Sequence, residues 1–127
     1  MEKDAQLAQE HHENMVLASK MEFYKDEISI LKNRMVEIAK DLEKEKDLKE
    51  LERLQNQLDI QENNANNISH SIRNNEKFID KLLSKKAEDV PKTRAEQHRK
   101  EKDLVAAFEK NFHEVRSSIK SLSAKAT

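Results

Sequence analysis

The chain has 127 residues, of which 39% are charged and 4% aromatic, with one proline and neither glycine nor cysteine. Without glycine, positive-φ turns are scarce, which sets aside sandwiches, barrels and doubly wound α/β domains. Gly-rich phosphate loops, dinucleotide fingerprints and nucleophile elbows go with them, and a formal net charge of −1 supplies no global field toward nucleic acid or an anionic membrane.

Ala, Glu, Lys, Leu and Arg fill half the chain, the composition of long helices and coiled coils. A mean hydropathy of −1.00 would suit disorder, but a sustained period argues against it. With Met21 at heptad position a, that column reads Leu7, Asn14, Met21, Ile28, Met35 and Leu42. Position d reads Glu10, Leu17, Tyr24, Leu31 and Ile38. This is a 3.5-residue seam. A second stripe, Val16, Phe23 and Ile30, recurs at position c. One helix with two apolar stripes asks for two neighbours.

A new register opens at Leu51. Its a column is Leu51, Leu58, Ala65, Ile72 and Ile79, and its d column Leu54, Gln61, Ile68, Asn75 and Leu82. It is out of phase with the first, and Asp47 with Glu50 three residues later reads as a capping box. The expectation is therefore a tight turn near residues 43–47. The rival is one continuous helix about 120 Å long. Glu88-Asp89-Val90-Pro91 announces a third helix, because proline fits the first helical position. Its seam is His98, Val105, Phe112 and Ile119 at a, with Glu101, Phe108, Val115 and Leu122 at d.

The predicted fold is all-α: an antiparallel up-down-up bundle of three long helices with coiled-coil-like packing, spanning 1–127 as one domain. The helices run over about 4–43, 48–85 and 91–122. Matching rise per residue sets Phe23 level with Ala106, and Ile30 level with His113. The second stripe of the first helix is thus expected to meet the apolar half of the third, in a left-handed bundle. The same stripe would also serve a dimer.

At Phe23-Tyr24-Lys25-Asp26-Glu27-Ile28, then Leu31 and Asn33-Arg34, and again at Gln55-Asn56-Gln57, the chain resembles a set of small uncharacterised helical-hairpin and coiled-coil proteins of Bacteroidetes-type bacteria. The resemblance covers roughly residues 10–75. It implies an intracellular bacterial protein with a capped turn between two helices. Asp47 keeps the cap, while Lys44-Glu45-Lys46 stands in place of polar turn residues. That set has no known function, so no site carries over.

Five histidines are the first place to seek chemistry. His12 and His70 fall at f and His113 at b, all facing solvent. His11 falls at e and His98 at a, nearer the seam. Level matching brings His98 beside residue 15 and Glu101 beside Asn75, so His11, Asn14, Asn75, His98 and Glu101 gather at one end. His11, His98 and Glu101 could then hold a divalent metal; a wet polar layer is the plainer reading. No glutamate stands three residues before any histidine, which sets aside the ferritin-like motif. A narrow bundle offers carboxylates no water-poor pocket, so catalysis is not expected. Lys85 to Lys102 is the most basic stretch, but acids are mixed in and aromatic platforms are missing. Asn63, Asn64, Asn66 and Asn67 mark a kink or a contact face on the second helix.

The expected function is a non-enzymatic protein–protein interaction module (scaffold, adaptor or assembly factor) in the cytoplasm, self-associating through apolar helix faces. Val16, Phe23 and Ile30 are the contact candidates, with Phe108 and Phe112 if the third helix leaves them open. The alternative is a metal-binding bundle with a His/Glu site at one end. No cofactor, nucleic acid, membrane or small-molecule substrate is expected.

Overall fold

Helix formers dominate each long run, and a heptad seam gives each run one face to bury, which is where most helical stability originates. The computed structural model describes residues 2–84 and 93–126, with side chains over 5–82 and 95–126. Three helices result: α1 over Glu2–Asp41, α2 over Glu45–Ser84 and α3 over Thr93–Lys125. The first two are 40 residues each, so they span about 60 Å. The expected start of the third helix at Pro91 lies outside the described residues, as does residue 85.

The turn falls at 42–44, between the first two helices. It comes about three residues earlier than the capping box suggests. Lys44 provides the reason: its carbonyl accepts from the N–H groups of Asp47 (3.1 Å) and Leu48 (3.0 Å). Lys44 is therefore the cap position, and Glu45 and Asp47 occupy the first turn, where negative charge suits the helix dipole. Asp47 does not open the helix. It is buried beside the end of α3, with Lys125 Nζ at 3.7 Å.

Ion pairs along the bundle fix its directions. Lys32 reaches Asp59 (2.9 Å) and Glu62 (3.2 Å), joining α1 to α2 in antiparallel order. Ser71 on α2 donates to Glu101 on α3 (3.3 Å), while Asp47 meets Lys125 at the opposite end. The chain is an antiparallel three-helix bundle.

Every seam position of α1 and α3 is buried, as are those of α2 except the half-buried Asn75 and Leu82. The apolar core runs from Leu17 to Leu42 on α1, from Leu51 to Ile72 on α2 and from Val105 to Leu122 on α3. Each fully buried Ile, Leu or Phe there contributes about 1.5–3 kcal/mol of transfer free energy. Leu7 and Ile79 are buried too but lie apart from that cluster. Between them and it sit Asn14, His98 and Glu101, a polar layer across the seam.

Two expectations fail at the packing level. Val16, Phe23 and Ile30 are exposed at 45%, 55% and 54%, so the second stripe does not meet α3. In a three-helix bundle each a/d seam faces the shared axis and serves both neighbours, which leaves position c outside. Phe108 and Phe112, conversely, are buried in the core and offer no open contact face. Among the described residues, no helix is long and apolar enough to cross a membrane.

Candidate functional site

Two features stand out from a generic bundle: the apolar stripe left outside α1, and the polar layer near the end opposite the 42–44 turn. The stripe is tied to the core through one aromatic chain. Phe23 meets Tyr24 edge to face at 5.5 Å between centroids, and Tyr24 meets Phe108 (5.4 Å) and Phe112 (4.9 Å) in the same manner. The Tyr24 hydroxyl donates to Glu109 Oε2 at 2.6 Å. Burial and then that carboxylate push its pKa up to about 12. Lys20 approaches the same Glu109 at 3.4 Å. Met15, Val16, Ser19, Lys20 and Phe23 line an open groove over this contact.

Position c is flanked on the helix surface by position g. That row reads Glu13, Lys20, Glu27 and Arg34, alternating in sign at seven-residue steps. All four are exposed or half-buried. The outer face of α1 is thus an apolar line with a line of alternating charge beside it.

At the polar end, the sequence-derived cluster divides. Glu101 and Asn75 come together as expected, with the Asn75 amide donating to the Glu101 carboxylate. His98, however, presents Nε2 to Glu13 on α1, which also receives Lys102 Nζ at 2.7 Å. Lys102 first and His98 second hold the Glu13 carboxyl down to about 2. The other ring nitrogen of His98, Nδ1, is buried and without a hydrogen-bond partner among the described residues.

His11 joins neither His98 nor Glu101. Its Nδ1–H donates to Glu76 Oε2 at 2.5 Å, and fully buried Asn14 donates from Nδ2 to Glu76 Oε1 at 3.2 Å. Asp80, one turn further along α2, brings a second carboxylate; the ligand atoms of His11, Glu76 and Asp80 lie within 4.8 Å of one another. The expected metal set of His11, His98 and Glu101 is therefore replaced by three separate groupings. The α1–α2 turn comes about three residues early, and His11 meets α2 about six residues before the matched level. That carries His11 to Glu76 rather than to the neighbourhood of residue 82.

Sequence reading missed Glu13, Glu76, Asp80 and Glu109. Glu13, Glu76 and Glu109 occupy g or e positions bordering the seam, where an acid reads as solvated helix flank. The available signal was their levels against His11, His98 and Tyr24. His12, His70 and His113 are exposed, as their register requires.

The chain matches no protein-family model, no curated protein and no solved structure. What the site can do rests on its geometry alone.

Proposed function

We infer that this protein is a non-enzymatic interaction module that self-associates through the outer face of α1. The reading rests on one observation: Val16, Phe23 and Ile30 form an exposed apolar line bordered by Glu13, Lys20, Glu27 and Arg34. The stripe is symmetric in sequence about Phe23. A second copy laid antiparallel would pair Phe23 with its own counterpart and Val16 with Ile30 of the second copy. In that arrangement the charged rows face each other in reverse order. Arg34 then comes level with Glu13 of the second copy, and Lys20 with Glu27 of the second copy, so the four level pairs are opposite in charge. Glu13 and Lys20 keep their contacts to α3. A parallel pair would set Glu27 near Asp26 of the second copy, a repulsive contact. A scaffold or assembly role in the cytoplasm goes with this reading.

Light scattering on the purified full chain tests it. The wild type is expected to dimerise, Phe23→Glu to be monomeric with unchanged helicity, and Glu27→Lys to dimerise more weakly. A wild type that stays monomeric at high concentration would assign the stripe to a foreign partner and defeat the self-association reading.

A further inference from the structure

We propose that His11, Glu76 and Asp80 form a divalent-metal site clamping α1 to α2 at the end opposite the turn. This goes beyond the dimer reading, since the site does not involve the outer stripe. Three observations converge on it.

First, the donor set is mixed rather than merely acidic. An imidazole from α1 faces two carboxylates from α2, and their ligand atoms lie within 4.8 Å of one another. Glu76 and Asp80 are spaced i, i+4, so they share one face of α2 and repel in the absence of a cation. Borderline first-row ions accept this combination of one nitrogen and two oxygens.

Second, the central ligand is held from behind. Asn14 is wholly buried and donates to Glu76 Oε1, leaving Oε2 turned to His11. A buried hydrogen-bond donor that orients a ligating carboxylate is the usual outer support of a metal centre. Asn14 occupies a seam position where an apolar residue would stabilise the core more. Its amide costs desolvation there, with Oδ1 unpartnered among the described residues. The metal site supplies a reason for keeping it.

Third, access matches the chemistry. The side chain of His11 is 45% exposed and Asp80 is exposed, whereas Glu76 is only 19% exposed. An ion can enter from solvent, take the place of the proton between His11 and Glu76, and retain water on its open side. His11 then binds through one ring nitrogen and carries a proton on the other.

Titration of tag-free full-length protein with Co²⁺ and Zn²⁺ tests the proposal, read by the visible Co²⁺ absorption and by calorimetry. One ion per chain is expected, with a higher melting temperature for the bound form. Asp80→Asn alters only an exposed side chain and is expected to weaken binding without changing helicity. His11→Ala is expected to abolish the signal, and Asn14→Leu to weaken binding about tenfold while leaving all three ligands in place. Absence of saturable binding at about 100 μM metal, a concentration well above that of a built zinc site, would overturn the proposal. So would binding that His11→Ala and Asp80→Asn leave unchanged. Dimerisation of the metal-free chain is a separate readout, so either result stands without the other.

Discussion

Glu13 accepts from Lys102 and from His98, two side chains of α3. Those contacts hold its carboxyl at about 2, against an ordinary value of 4.5. The folded state therefore binds that proton less readily than the unfolded chain does. Glu13 contributes its full stabilisation above about pH 4.5 and loses it as pH falls toward 2. In urea titrations, Glu13→Gln should be less stable than wild type at neutral pH. The gap between them should close across that window, because the variant has no such proton to take up. A gap that stays constant from neutral pH to pH 2 would mean the Glu13 contacts contribute nothing through charge. Tyr24 works in the opposite sense. With its pKa raised to about 12, it favours the folded state below pH 10, and that contribution is lost as pH rises toward 12.

Among the elements, α1 is the one with two faces, and only one of them was legible in full. Its seam could be read because a 3.5-residue period has one geometric consequence: positions a and d turn inward, polar residues such as Glu10 and Asn14 included. The stripe at position c was equally visible in the sequence, but an apolar line does not name what covers it. Rise matching set Phe23 and Ile30 level with α3, and levels say nothing about azimuth around the axis. The same limit applied at the polar end. Glu101 met Asn75 as expected, because both lie on seams. His11 found Glu76 and Asp80, which no period distinguishes from the other acids of the chain. The direction of α1 against a second copy is open to a direct test, since the native chain lacks cysteine. In an antiparallel pair, Val16→Cys combined with Ile30→Cys should cross-link under mild oxidation. Val16→Cys alone should not, because the two copies of that position would stand about 21 Å apart, far beyond disulfide reach. The same separation within one chain prevents an internal bridge. Efficient cross-linking of the single variant would instead indicate a parallel pair.

Across the whole molecule, stability is unevenly distributed along the bundle axis. The turn half holds the continuous apolar cluster, with Phe112, Ile28, Met35 and Leu58 fully enclosed. Beyond it, Asn14, His98 and Glu101 replace apolar neighbours, and Leu7 and Ile79 are cut off from the main core. Burying polar groups costs more than burying methyls and returns little net free energy even when they are hydrogen-bonded. The polar end should therefore open locally at a lower free energy than the turn half. Amide hydrogen exchange measures this directly. Slowest exchange is expected within 21–38, 54–72 and 105–122, and faster exchange at 7–14, 76–82 and 98–101. Asn14→Leu together with Glu101→Leu would join Leu7 and Ile79 to the main cluster. Protection should then rise at the polar end, with little change near Leu42 and Leu51 because those sites share no contacts with the layer. Equal protection at both ends of the wild type would show that the Glu13, Glu76 and Glu101 contacts hold the helices as firmly as the core does. In that case the layer would act as a structural lock, and the double leucine variant should lose protection rather than gain it.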